Sequence, residues 1–169
     1  KSGYEEISTP QIMDSKLWKI SGHWDKYKEN IFLSSYENRD FVVKPMNCPG
    51  GMIVYRNSPK SYKELPLRVA ELGIVHRQEL SGVLGGLFRV IQFTQDDAHI
   101  FCTEDQLEEE IKKIIELDDV IYSKFGFEYS LELSTKPEKR IGTDKQWDEA
   151  EELLEKVLKK LKIAYKINK

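Results

Sequence analysis

"HRQELSGVLGGLFRVIQFTQDDAHIF", residues 76–101, sets two strand-like runs on either side of a loop holding three glycines, and threads charged and amide side chains through both runs. Side chains alternate across a strand, so residues of equal parity share a face. From Phe88 the odd positions are Arg89, Ile91, Phe93, Gln95, Asp97, His99 and Phe101; the even ones are Phe88, Val90, Gln92, Thr94, Asp96, Ala98 and Ile100. The odd face thus carries a guanidinium, an aromatic ring, an amide, a carboxylate and an imidazole in one row, about 7 Å apart at ~3.3 Å per residue. A ligand with phosphate, flat base and amino group fits such a row. The preceding run adds Arg77 and Glu79 in step with each other, and the glycines of "SGVLGG" let backbone approach a bound anion closely.

Charged strand residues more often form the solvated face of an antiparallel sheet, and glycines more often simply make a turn. The joint pattern resists that simpler reading. A solvated face does not normally mix Ile91, Phe93 and Phe101 with its charges, and Asp96 beside Asp97 is expected to cost repulsion that a bound cation or ammonium relieves.

Outward from this hairpin, residues 4–9 read as a short strand halted by Pro10, and "NIFLSS" and "FVVKP" as two strands around a turn at Glu37 to Asp40. "PGGMIVYRNSP" predicts a short helix with Pro49 in its first turn, followed by a long strand in "PLRVAELGIVHRQEL" and another over 87–101. From Glu104 the period becomes helical through Leu107, Ile111, Ile114, Ile115, Leu117, Ile121 and Phe125, with Thr103 or Asp105 to cap its start and Gly126 its end. "EYSLELST" alternates as a strand, and residues 144–161 form a second amphipathic helix through Trp147, Ala150, Leu154, Val157 and Leu161. Antiparallel strands interrupted by helices predict an α+β fold, a mainly antiparallel sheet flanked by helices, in one domain over residues 1–169.

Bulk composition narrows the partners little. The 169 residues are 40% hydrophobic, enough for one substantial core, and a net charge of -3 supplies no global basic field for nucleic acid, so any RNA contact rests on local patches. Two cysteines without CxxC spacing, no signal peptide and no 18-residue apolar run predict a reducing cytoplasm and no membrane. The opening "KSGYEEISTP" lacks an initiator methionine, and the chain is expected to be a piece of something longer.

Arg77-Gln78-Glu79, a glycine-rich loop, then Arg89 with Phe93 and Asp97 at successive intervals of four resemble motif 2 of the class II aminoacyl-tRNA synthetases. "KPMNCPG", "LPLRVAELGIVHR", "FTQDDAHIFCTE" and "SGHWDKY" are similar to the threonyl-tRNA synthetases within that class, and the resemblance spans essentially the whole chain, as a partial class II catalytic core. It implies a ligase that activates threonine with ATP and Mg2+ to threonyl-adenylate, then transfers the threonyl group to tRNA. The alternative is a non-catalytic ATP- or adenylate-binding module, or an engineered fragment, of the same ancestry.

The resemblance implies roles residue by residue. Arg77 matches the arginine that holds the carboxylate and α-phosphate, its forked charge suiting bidentate anions. Glu79 matches the residue facing the adenine amino group, Phe93 the ring stacked on adenine, and Arg89 the partner of the γ-phosphate. Met46, Cys48, Gln95, Asp97 and His99 match the threonine end, with Cys48 and His99 as two of three protein ligands for Zn2+ and the third expected outside this chain. His23 matches a histidine near the terminal ribose of tRNA. His76 reads as structural and Cys102 as core.

Threonine, ATP and tRNA are the implied partners, and a homodimer is a possible assembly. Three positions depart from the family pattern. Gly51 and Gly85 stand where histidine is usual or frequent, and Ile91 where a basic residue is common; Gly51 is expected to leave the pocket under-filled.

Overall fold

In the computed structural model, which describes residues 3–138 and 140–168, the chain runs β1 (Glu5–Glu6), β2 (Ile12–Asp14), α1 (Ser15–Ile20), α2 (His23–Tyr27), β3 (Leu33–Tyr36), β4 (Arg39–Val43), α3 (Cys48–Arg56), β5 (Leu67–His76), β6 (Gln92–Phe101), α4 (Glu104–Phe125), β7 (Leu131–Ser134), α5 (Asp144–Lys160) and β8 (Tyr165–Asn168). Contacts cluster in two compact units, Lys1–Phe101 and Cys102–Lys169.

The first unit holds two three-stranded sheets, ordered β1-β5-β6 and β2-β4-β3. The β5–β6 pairing is antiparallel and unbroken from Leu67 opposite Phe101 to His76 opposite Gln92, so parity sorts both strands without a slip. The usual polarity is inverted. Glu71, Gly73 and Val75 are buried and Phe93, Gln95, Asp97 and His99 half-buried, whereas Leu72 and Ile74 stand out to solvent at 67% and 38% exposure. The β3–β4 hairpin turns at Glu37 and Asn38, both with positive φ, as a two-residue turn that follows the strand twist requires. A core of Trp18, Ile31 and Val42 lies beneath this second sheet, with Met13, Leu17, Trp24 and Met46 packed on it. Lys44 ties the sheets together: its N–H donates to Gln11 (2.7 Å) and its carbonyl accepts from the His76 N–H (2.8 Å).

The second unit packs α4, α5 and the parallel pair β7–β8. Helix α4 begins at Thr103, whose N–H donates to the Gln106 side chain (3.1 Å), and ends on Gly126 in the left-handed region at φ 69°. Thr143 caps α5 by accepting from the Gln146 N–H at 3.3 Å. No helix among the described residues is long and apolar enough to cross a membrane.

The α+β class with mainly antiparallel sheets stands, although β1 pairs parallel to β5 and β7 parallel to β8. The strand expected over 87–101 starts only at Gln92. Gly85 and Arg89 bridge each other and the Phe88 N–H turns back onto the Gly85 carbonyl (3.0 Å), so Leu87 and Phe88 are thrust into water and Arg89 is delivered by the loop. The short helices α1 and α2 had no counterpart in the sequence reading.

Candidate functional site

The inward face of the β5–β6 hairpin gathers its polar groups at two ends. At the Gln92 end the Arg77 guanidinium lies 5.1 Å from the centre of the Phe93 ring, and Arg77 Nε donates to the Pro45 carbonyl (3.2 Å). A permanently charged fork held by its own Nε keeps its outer nitrogens for an anion. Beside it, Arg89 donates to one Glu79 carboxylate oxygen through both Nε (3.1 Å) and Nη2 (2.9 Å), with Glu79 12% and Arg89 55% exposed. The parity row expected from Phe88 onward therefore loses Arg89 as a strand member but keeps it near Glu79.

At the Phe101 end, donor atoms of Cys48, Asp97 and His99 all lie within 4.8 Å of one another. Cys48 opens α3, and Asp97 and His99 come from β6 two residues apart, hence on one face. Burial pushes the Cys48 thiol above its ordinary value, and the Asp97 charge pushes it further. A divalent cation reverses both penalties, because the thiolate and the carboxylate are then paired with positive charge. Sulfur, imidazole nitrogen and carboxylate oxygen together form a donor set of zinc type, and their spread fits one small ion with a coordination position left over. The third donor in this chain is Asp97, which sequence reading assigned to amino-acid contact only. Gly51 sets α3 backbone directly against the imidazole: a Cβ there would stand 3.4 Å from His99 Nδ1.

The adjacent charges Asp96 and Asp97 do not confront each other. The pleat sends Asp96 to the exposed face and Asp97 inward, so the two neighbouring carboxylates point apart, and the inward charge acts on Cys48. Asp97 Oδ1 accepts from the Ala98 N–H at 2.9 Å, and Gln95 lies opposite Gly73 on the same inward face.

Beneath this end lies a buried ion pair that the sequence reading did not find. Lys44 Nζ is 2.9 Å from Glu71 Oε1, with side-chain exposures of 0% and 6%. Thr9 donates to Glu71 through its N–H (2.7 Å) and hydroxyl (2.9 Å), and accepts from Lys44 Nζ at 3.2 Å. Burial alone would raise the Glu71 carboxyl, but the Thr9 N–H, Lys44 and the Thr9 hydroxyl outweigh it and hold it below the usual range. Glu71 is the cross-strand partner of Asp97, so this cluster is the foundation of the donor triad. A lysine inside "FVVKP" and a glutamate inside "LRVAELGIV" were the signal: opposite charges set in apolar strand runs must find each other.

Two further expected site residues make their contacts within the first unit. Met46 packs on the Trp18–Ile31–Val42 core. His23 Nδ1 sits 2.8 Å from the Ser21 hydroxyl, its ring edge-on to Trp18 at 6.0 Å and near Tyr27 at 6.2 Å. His76 Nε2 lies 3.2 Å from Gln92 Oε1, its cross-strand partner.

Residues 30–166 match the model of the tRNA synthetase class II core domain (G, H, P, S and T). Among curated relatives, the threonine–tRNA ligase of Acetivibrio thermocellus is 56% identical over 168 residues, covering 99% of this chain and 26% of that protein. Among solved structures, the RNA binding domain of threonyl-tRNA synthetase from Cryptosporidium parvum Iowa II superposes with a TM-score of 0.95 at 45% identity, over 98% of this chain and 41% of that one. A putative threonyl-tRNA synthetase from Aeropyrum pernix gives 0.84 at 32% identity, over 98% and 39%. The chain thus spans about a quarter of the length of the curated relatives it matches.

Proposed function

Because the chain belongs to the class II tRNA synthetase core domain family (G, H, P, S and T), we propose that it is the portion of a threonine–tRNA ligase core in which ATP and threonine meet. The observation that carries this reading is that one covered face of β6 ends in an arginine–aromatic pair on one side and a thiol–carboxylate–imidazole triad on the other.

In this reading adenine stacks on Phe93, Glu79 accepts from its amino group, and Arg77 spans the threonine carboxylate and the α-phosphate. Arg89 turns to the γ-phosphate, for which Glu79 competes. The threonine carboxylate oxygen attacks the α-phosphorus, the bond to the bridging oxygen breaks, and pyrophosphate leaves, so threonyl-adenylate forms without a protein nucleophile. Catalysis is then orientation plus cancellation of phosphate charge, with Mg2+ accompanying ATP. Gln95 and Asp97 would hold the amino acid by hydrogen bonds, and Cys48 and His99 would hold Zn2+, with Asp97 or a residue outside this chain as the third donor. Bound there, zinc supplies a coordination position that demands a hydroxyl, a discrimination against valine that an apolar pocket cannot match. His23 serves the later transfer to tRNA, with the cytoplasm as the compartment and a homodimer as the assembly.

Threonine-dependent exchange of labelled pyrophosphate into ATP tests the proposal, with valine as the control. A second reading, a module that binds ATP or adenylate without turnover, draws on the Arg89–Glu79 pair, in which the two groups meant for nucleotide satisfy each other. ATP binding without exchange would select it.

A further inference from the structure

Asn47 stands at the N-cap of α3, the position where asparagine ordinarily bonds the open N–H groups of the first turn, yet its side chain caps nothing. It is instead 1% exposed and turned toward β6, where Nδ2 donates to Asp97 Oδ2 at 3.4 Å. Its Oδ1 is buried without a hydrogen-bond partner among the described residues and lies over Gly73, where a Cβ would come within 2.0 Å of it. Only glycine leaves that notch. The reverse amide orientation would press Oδ1 on the carboxylate, so the donor faces Asp97. With the Ala98 N–H on Oδ1 of Asp97, both carboxylate oxygens are held. A helix that forgoes its cap and buries an unpaired oxygen, in order to bring a donor to one carboxylate, has given up stability for position.

We propose that Asn47, seated in the notch of Gly73, is a positioning residue that fixes the Asp97 carboxylate toward Cys48 and His99 and so sets the selection of the amino acid. The inference rests on the threonine-pocket reading given above. It extends the site to a wall that touches neither ligand: Asn47 acts through Asp97, and Gly73 acts through Asn47.

Asn47→Ser separates position from stability. Serine is a good N-cap, so α3 is capped at least as well as before, but its hydroxyl is too short to reach Asp97. In the intact protein the melting temperature is expected to hold and ATP affinity to stay within about twofold, while threonine affinity falls about tenfold, the scale of one hydrogen bond to a charged group. Combined with Asp97→Asn, the serine substitution should add nothing to the loss that Asp97→Asn causes alone. Gly73→Ala should lower threonine affinity in the same way by expelling the amide, at a cost in stability that Asn47→Ser does not carry. Crystals of Asn47→Ser provide a readout independent of affinity, with the Asp97 carboxylate expected to turn away from Cys48. Unchanged threonine affinity and an unmoved carboxylate in Asn47→Ser would overturn the inference and leave the pocket reading intact. Additive losses in the double variant, or equal losses for ATP and threonine, would reduce Asn47 to a structural residue. Wild-type protein that binds ATP but no threonine would remove the pocket reading, and this inference with it.

Discussion

At the Gln92 end of β6 the charged groups meet one another near the surface, whereas at the Phe101 end they meet over a buried ion pair. Arg89 is more than half exposed and paired with Glu79; Asp97 is half-buried, held at both oxygens, and stands opposite Glu71 in the Lys44–Glu71–Thr9 cluster. Surface pairs rearrange at little cost, while buried ones do not. The difference suits a site that must accommodate a long, charged nucleotide at one end and discriminate a small side chain at the other.

The largest expected effect tests the rigid end. Lys44→Met leaves Glu71 buried without its cation and should cost about 3–5 kcal/mol in urea unfolding. The same cluster sets an acid limit. Glu71 is held below its usual pKa, so its contribution is fully present above the unfolded value of about 4.3 and is lost as pH falls through the lower folded value. Wild-type stability should therefore drop below about pH 4, and Lys44→Met should flatten that drop; an unaltered acid profile would detach Glu71 from Lys44.

Next comes Arg77→Ala, expected to slow adenylate formation about 10²–10³-fold in pyrophosphate exchange, with the urea midpoint nearly unchanged because the guanidinium lies against the Phe93 ring and one carbonyl rather than in the core. Wholesale unfolding would contradict the open-face assignment. Cys48→Ser should weaken metal binding about 10–100-fold, read by metal analysis after dialysis against graded chelator, and equal metal content in both proteins would reject Cys48 as a ligand. The smallest effect belongs to the adjustable end. Glu79→Gln should change stability by less than about 1 kcal/mol, measured by urea unfolding at low and high salt, since a pair whose cation is more than half exposed is largely screened. A larger loss would mean that the two ends are equally fixed.

Much of this was legible in the sequence because strand parity survives folding when no bulge intervenes. The unbroken β5–β6 register kept Phe93, Gln95, Asp97 and His99 on one face, as alternation requires. Helix α4 was readable because Gly126 is chemically suited to its end and the structure takes Thr103 of the two caps, Thr103 and Asp105, that its start offers. The start of β6 was not, since the Gly85–Arg89 bridge is a tertiary choice within a glycine-rich loop that local pattern leaves free. Helices α1 and α2, six and five residues long, carry too few turns for a period to show. Asn47 and Gly73 escaped notice for a different reason: they are 26 residues apart, and the notch that one makes for the other exists only once α3 lies against β5. Met46, expected at the amino-acid end, also packs on the Trp18 core, a contact that no spacing rule reveals.

A crystal structure with a non-hydrolysable threonyl-adenylate analogue puts the two-ended face to the test in a single map. Adenine is expected on the Phe93 ring, the acyl-phosphate linkage at Arg77, and the threonyl amino and hydroxyl groups within reach of Cys48, Asp97 and His99. An analogue bound on the Leu72–Ile74–Thr94 side of the hairpin, or lying on the inward face in the reverse sense, would contradict this placement.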